Sequence, residues 1–102
     1  MRVESGLYRH YKNSYYVVYK VATHSESGEA LVFYRCLYGD YSWWVRPLDM
    51  FCESVEVNHE EVPRFSLISP LTDAHLQLVM SDDVVAIEKW LTEFLADRAL
   101  TQ

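Results

Sequence analysis

The side chains best suited to chemistry lie near the middle of the chain. Arg35 and Arg46 each fall within an apolar strand pattern, and Asp40 follows a glycine between them. A guanidinium held at an apolar surface binds a carboxylate or a phosphate through two parallel hydrogen bonds. Charges that close to a core are normally paired, so an internal ion pair with Asp40, Asp49 or Glu53 is the alternative, and it is favoured.

Aromatic side chains surround the same arginines. Tyr38, Tyr41, Trp43, Trp44 and Tyr8 have the composition of a cage for a methylated amine, a stacked base or a proline. Alternation along a strand predicts that the two neighbouring tryptophans point to opposite faces of the sheet. One indole then faces outward as a recognition surface, although small barrels also use aromatic residues heavily in their cores.

The histidines and cysteines support a second, weaker reading. His10, His24, Arg35 and Asp40 would form a small-ligand or catalytic pocket if the fold brought them together. No metal-ligand spacing is present, so we expect neither a metal site nor a cofactor. Cys36 lies in an apolar pattern, which is typical of a buried, unreactive and unpaired thiol. Without a nucleophile motif or a phosphate-binding glycine loop, the sequence favours a non-catalytic protein.

Composition sets limits on the partners. The 102 residues carry a formal net charge of −6, which argues against non-specific nucleic-acid binding. The apolar runs are far shorter than the roughly 20 residues of a membrane span, and the N-terminal residues lack the apolar core of a signal peptide. We therefore expect a cytoplasmic protein, with an unknown protein or small molecule as its ligand.

Strand-like segments alternate with turns through residues 1–70. This pattern predicts a mainly β domain, a small antiparallel SH3-like β-barrel or bent sheet of five to six strands. Gly39-Asp40 is expected to be a tight hairpin turn. The expected elements are strands over 6–11, 15–23, 30–38, 41–46, 54–57 and 62–68, with one helical turn over 48–51 that plugs the sheet with Met50 and Phe51.

The pattern changes over residues 71–102. Residues 71–80 give mixed signals and are expected to be a connector with one extended segment. Ser81-Asp82-Asp83 predicts a helix start, because a side-chain acceptor caps the first free amides. Apolar residues then recur at helical spacing, which predicts one C-terminal amphipathic helix of about fifteen residues. Its apolar stripe is expected to pack on the barrel or to complete a homodimer.

Four blocks in order carry a resemblance to a known family. They are Gly6-x-Tyr8-Arg9-His10-Tyr11-Lys12, Ala22-x-His24-Ser25-Glu26, Val32-x-Tyr34-Arg35-x-Leu37-Tyr38-Gly39-Asp40 and Trp44-Val45-Arg46-Pro47-Leu48-x-Met50-Phe51-x-Glu53. Over about residues 5–68 the chain resembles a bacterial family known as domain of unknown function sixteen fifty-three. Asn13 departs from a glycine in that pattern, but asparagine tolerates the left-handed conformation. The resemblance implies a compact bacterial β domain and supplies no activity.

The leading hypothesis is therefore an uncharacterised, non-enzymatic recognition domain that binds through an aromatic and arginine surface around residues 38–46. The predicted ligand-binding residues are Tyr8, His10, Arg35, Tyr38, Asp40, Trp44 and Arg46, and no catalytic residue is assigned.

Overall fold

The computed structural model describes residues 2–101, with side chains described as far as residue 99. Within that range the strands are β1 (Gly6–His10), β2 (Tyr15–Thr23), β3 (Ala30–Cys36), β4 (Trp43–Pro47), β5 (Ser54–Val57), β6 (Glu60–Pro63) and β7 (Phe65–Pro70). The helices are α1 (Leu48–Phe51), α2 (Asp73–Val79) and α3 (Val84–Thr101). The chain divides into two compact units between Leu71 and Thr72. None of the described helices combines the length and hydropathy of a bilayer span.

Five strands form one antiparallel sheet in the order β4-β3-β2-β1-β7, and β5 pairs with β6 as a separate hairpin. The mainly β antiparallel fold with a C-terminal helix is thus confirmed. In the described residues no ladder joins β4 to β7, so the sheet does not close into a barrel. Within residues 2–101 the outer edges of β4 and β7 pair with no further strand.

The sheet is nevertheless strongly curved. In a flat sheet β4 and β7 would be separated by four strand spacings, about 19 Å, with side chains standing perpendicular to the sheet. Yet the guanidinium carbon of Arg46 on β4 lies 5.8 Å from the ring centre of Phe65 on β7. The two end strands must therefore bend towards each other, and we call the face enclosed between them the inner face.

Strand alternation divides the side chains between the two faces. Pairing of Tyr34 with Trp44 and of Arg35 with Trp43 places the first pair on the inner face and the second pair on the outer face. The predicted opposite orientation of the two tryptophans is thus confirmed. The inner face holds the main core cluster, which consists of Tyr8, Tyr16, Val18, Val32, Tyr34, Cys36, Phe51 and Phe65.

Helix α1 closes this cluster with one side chain. Phe51 is 2 % exposed and stacks on Phe65 with ring centres 4.2 Å apart. Its edge contacts Tyr8 and Tyr34, with both pairs of ring centres separated by 5.6 Å. Met50, expected to share this role, is instead 44 % exposed, because a single helical turn presents only one of two neighbouring side chains to the sheet.

The predicted last strand over 62–68 is wrong, because the chain changes sheets at Arg64. The Arg64 amide donates to the Glu53 carbonyl, while its own carbonyl accepts from the Tyr11 amide. Residues before Arg64 therefore continue β6, and residues after it form β7 beside β1. Pro63 ends β6 as an edge residue, since proline offers no amide to a further strand.

The second unit contains α2 and α3 separated by residues 80–83, so an extended segment over 71–80 is wrong, because most of that range is helical. The Thr72 hydroxyl accepts from the His75 amide and caps α2. The predicted start of α3 is confirmed, because Asp83 Oδ1 accepts from the Ala86 amide at 3.0 Å. The His75 ring lies 5.5 Å from the Trp90 ring. A homodimer through α3 stays a prediction.

Gly6 gives a stability test of the β1–β7 ladder. A Cβ at this position would lie 2.6 Å from the backbone oxygen of Ser69, and backbone in a ladder cannot move aside cheaply. We expect Gly6→Ala to lower the free energy of unfolding by about 1–3 kcal/mol, measured by urea denaturation. Arg9→Ala, at an exposed position of the same strand, is the control and should change it by less than about 0.5 kcal/mol. Equal stability of the two variants would contradict the close approach.

Candidate functional site

Residues 37–42 connect β3 to β4 as a six-residue loop, longer than the predicted two-residue turn. The Tyr41 amide donates to the Tyr38 carbonyl, and the Cys36 amide donates to the Ser42 carbonyl, both at 3.0 Å. Gly39 has φ +61° and Tyr41 has φ +53°, so the chain turns back at two left-handed residues. Compared with the prediction, β3 ends earlier, at Cys36, and β4 begins later, at Trp43, because the loop includes the residues between them.

Arg35 holds this loop from the outer face. Its Nε donates to the Tyr41 carbonyl at 2.9 Å, and the side chain is only 4 % exposed. The guanidinium also lies over the rings of Trp43 and Tyr41, with its carbon 5.1 Å and 5.7 Å from the ring centres. Arg35 therefore acts as a structural anchor for the loop.

The inner face opens beside the loop into a cavity of about 350 Å³. Its walls combine core tyrosines with the side chains of the loop and of β4. The lining residues are Tyr16, Tyr34, Cys36, Tyr38, Asp40, Ser42, Trp44 and Arg46. A volume of this size is at the lower end of the range for small-molecule sites.

The aromatic walls are held in place by hydrogen bonds. The hydroxyls of Tyr16 and Tyr38 lie 2.7 Å apart, and their rings meet edge to face with centres 5.6 Å apart. The Trp44 indole donates to the Ser42 hydroxyl at 2.8 Å, and Asp40 accepts from the Ser42 amide at 3.1 Å. Tyr38 and Trp44 are 45 % and 53 % exposed, so the cavity presents ordered aromatic surface to solvent.

Arg46 supplies a positive charge without a local counter-ion. Among residues 2–101 no acidic side chain lies within 4 Å of its guanidinium, whereas Arg64 contacts Glu53 at 3.6 Å. The pKa of His10 is lowered by burial and then by the charges of Arg64, Lys12 and Arg46. His10 Nδ1 accepts from the Lys12 amide, which suits the neutral ring. Three cations therefore act on His10, although Glu53 pairs with Arg64 and Asp40 lines the adjoining cavity.

Four of the seven predicted ligand-binding residues line the cavity, namely Tyr38, Asp40, Trp44 and Arg46. The other three lie elsewhere. Tyr8 is buried against Phe51 and donates to the Glu4 carbonyl, and Arg35 anchors the loop from the outer face. The His10 ring lies on the inner face, packed against Phe65 at 5.0 Å, next to the cavity but outside its lining.

Four lining residues were missed from the sequence: Tyr16, Tyr34, Cys36 and Ser42. The first two carry the strongest signal, because tyrosines within a β2 pattern and a β3 pattern are candidates for the same sheet face. Only the pairing of Tyr16 with Cys36, and of Tyr34 with Trp44, places them beside the loop. That register is a long-range property.

The alternative pocket of His10, His24, Arg35 and Asp40 does not form. His10 precedes β2 and His24 follows it, so nine residues of extended strand, about 30 Å, separate their ends. His24 is exposed and accepts from the amides of Glu26 and Ser27, which gives it a turn-stabilising role. Arg35 lies on the opposite face from His10. Both cysteines are free thiols, and Cys36 is buried as predicted.

The buried tyrosines predict an alkaline loss of stability. Burial raises the pKa of Tyr8 to about 12, and burial together with the bond to Tyr38 raises the pKa of Tyr16. Because a raised folded-state pKa favours the neutral form, this stability is complete below about pH 10 and is lost as the pH rises through the folded value. We expect the free energy of unfolding to fall above about pH 10 less steeply for Tyr8→Phe than for wild type. Urea denaturation from pH 8 upward checks this; parallel slopes would contradict it.

The fold and the cavity define a small antiparallel β domain with an aromatic, arginine-bearing cavity on its inner face. The family model described as protein of unknown function (DUF1653) matches residues 6–67, and the chain belongs to this family. A crystal structure of a DUF1653 protein from Bordetella bronchiseptica is similar, with 30% sequence identity and a TM-score of 0.62, over 69% of this chain and 92% of that chain. No curated protein matches the sequence significantly. Helices α2 and α3 lie outside the family match, and the family has no named function.

Proposed function

We propose that this protein is a non-enzymatic recognition domain whose inner-face cavity binds a ligand with an anionic group next to a flat apolar group. The observation that carries the proposal is Arg46, a guanidinium without an acidic partner among residues 2–101, set in a cavity with aromatic walls. The anionic group is a carboxylate or a phosphate, since both match the two-pronged donor geometry of arginine.

The guanidinium of Arg46 is a charge near the core without an acidic partner within 4 Å in the described part of the chain. A charge near a core is normally paired, and the Arg46 side chain is only partly exposed. Its nearest defined partner is the Phe65 ring, which attracts a cation only weakly and leaves the guanidinium donors available. An incoming carboxylate would complete the hydrogen bonding of this side chain.

Tyr38 and Trp44 supply the apolar surface of the cavity. Both are substantially exposed, yet hydrogen bonds to Tyr16 and Ser42 order them before any ligand arrives. Ordered aromatic surface binds with little loss of side-chain entropy, which is the usual advantage of tyrosine and tryptophan in recognition sites. A flat group of the ligand would pack against these rings.

The lining residues favour binding over catalysis. Burial and the bond to Tyr38 raise the pKa of Tyr16, so its hydroxyl is not a base near neutral pH. Cys36 is 7 % exposed, and the nearby His10 uses Nδ1 as an acceptor for a backbone amide. Among the lining side chains, none is a nucleophile hydrogen-bonded to a general base, which is the arrangement that covalent catalysis needs.

Indole-3-acetate, neutral indole and phenyl phosphate are suitable probes, with binding followed by heteronuclear NMR and tryptophan fluorescence. We expect the anionic probes to shift the NMR signals of the amides of residues 36–46. Trp44→Ala should weaken the binding of these probes by about tenfold or more. Arg46→Gln should remove the preference for indole-3-acetate over indole, because it removes the charge and leaves a shorter, neutral polar side chain. Arg9→Gln, on the exposed side of β1, is the matched control. Equal binding by all variants, or no binding by any probe, would reject the proposal.

A further inference from the structure

Strand β4 has a free edge whose backbone groups can be assigned from its register. The Cys36 amide bonds the Ser42 carbonyl, so in the antiparallel ladder the next hydrogen-bonded pairs are Tyr34 with Trp44 and Val32 with Arg46. Trp44 and Arg46 therefore direct their amides and carbonyls to β3. Trp43 and Val45 direct theirs away from the sheet.

This edge is apolar and accessible. Val45 is 56 % exposed and Trp44 is 53 % exposed. In the described part of the chain, β4 pairs only with β3, and no other group bonds the outward amides of Trp43 and Val45. Edge strands in soluble proteins are usually protected by lysine, by proline or by a covering segment. Here Arg46 and Pro47 protect one end of the strand, whereas residues 43–45 carry neither a charge nor a proline.

We propose that this edge accepts an extended acidic peptide as a sixth antiparallel strand, with a carboxylate on Arg46 and an apolar or aromatic side chain on Trp44. The inference rests on the proposed function, because it uses the same cavity wall and names the class of ligand. Addition of a strand to a sheet edge is a common mode of peptide recognition, in which backbone bonds give affinity and side-chain pockets give specificity.

The register also predicts the sequence pattern of the peptide. Relative to an added strand, Trp44 and Arg46 occupy non-hydrogen-bonded positions, where facing side chains are closest, with Cα atoms about 4.5 Å apart. Both side chains are on the inner face, beside the cavity. In an antiparallel strand the residue facing Arg46 comes first and the residue facing Trp44 comes two positions later. The expected motif is therefore an aspartate or glutamate, any residue, then an apolar or aromatic residue.

Charge complementarity selects an acidic peptide over a second copy of this chain. In the described part of the chain Arg46 has no acidic side chain within 4 Å, whereas Arg64 is paired with Glu53. A second β4 would bring the arginine of its own edge to the same surface and no carboxylate, since β4 contains none. An acidic side chain on the added strand is the group that Arg46 lacks.

The test follows backbone amide exchange by NMR with the peptide acetyl-Thr-Thr-Glu-Thr-Tyr-Thr-Ser-amide, whose only charge is the glutamate carboxylate. At saturation we expect the exchange of the Trp43 and Val45 amides to slow by about tenfold or more, since both gain an acceptor or become buried. The Trp44 and Arg46 amides are already bonded to β3 and should change little. Replacing the peptide glutamate with glutamine, or methylating the amide of the central threonine, should each weaken binding by about tenfold.

A protein variant tests the same point from the other side. Val45→Pro removes the outward amide without removing a bond to β3, because edge strands tolerate proline where the amide faces solvent. We expect Val45→Pro to abolish binding of the peptide, whereas Val45→Thr should still bind it. Should Val45→Pro fail to fold, the methylated peptide gives the same answer on the wild-type protein.

The outcomes separate this inference from the proposed function. If indole-3-acetate binds in an Arg46-dependent manner but the peptide leaves Val45 exchange unchanged, strand addition is rejected and the cavity proposal stands. Failure of both probes rejects both. Protection of Val45 that rises with protein concentration in the absence of peptide would show a second copy on the edge and would also overturn this inference.

Discussion

Replacing Phe51 with alanine is expected to lower the free energy of unfolding by about 3–5 kcal/mol, the usual range for a phenylalanine removed from a core. Phe51 is 2 % exposed, and its ring stacks on Phe65 and touches Tyr8 and Tyr34 at their edges. A four-residue helix cannot refill such a space by moving, because the strands on both sides of it limit its position. Urea denaturation at neutral pH measures the change.

Met50→Ala is the matched control for this substitution. Met50 is the adjacent residue of the same helical turn, and it is 44 % exposed. We expect its loss to change the free energy of unfolding by less than about 1 kcal/mol. Similar costs for the two variants would refute the role of the Phe51 ring in closing the core.

Arg35→Ala is expected to cost about 2–4 kcal/mol and to weaken binding in the cavity, although Arg35 does not line it. The substitution leaves the buried Tyr41 carbonyl without the Nε donor and removes the contacts with the Trp43 and Tyr41 rings. Since the Tyr41 end of the loop would no longer be anchored, Tyr38 would lose its fixed position. Amide exchange at Tyr41 and the affinity for indole-3-acetate measure the two effects.

Arg35→Lys separates charge from geometry in this prediction. Lysine keeps the positive charge but has no planar group to stack on Trp43 and no Nε donor in the same position. We expect it to recover less than half of the lost stability. Full recovery would mean that charge alone holds the loop. Arg9→Ala, at an exposed position of β1, should leave both stability and binding unchanged.

Local patterns were sufficient for the elements that local residues determine. The bounds of β2, α1 and β5 agree with the prediction, because tyrosine and valine runs, a proline stop and a glutamate alternation are all visible over a few residues. Arg64 shows where such patterns fail. Its bonds to Glu53 and Tyr11 divide one apparent strand between two sheets, and the Tyr11 partner is remote in sequence.

The lining of the cavity likewise combines residues whose proximity follows from local sequence with residues placed by long-range strand pairing. Tyr38, Asp40, Trp44 and Arg46 lie within one hairpin, so their proximity follows from the hairpin alone. The sequence predicts that Arg35 belongs to the same site, but strand alternation places its side chain on the outer face. The contribution of Tyr16 depends on the register of β2 against β3, and a sheet register is set by the whole hydrophobic pattern and not by one residue.

The reach of Arg46 to Phe65 has a mechanical consequence. Because the two residues belong to the opposite end strands, their contact acts as a clasp across the mouth of a curved sheet. A carboxylate bound by the guanidinium would compete with the Phe65 ring for it, so occupancy of the cavity would weaken this contact between the two end strands.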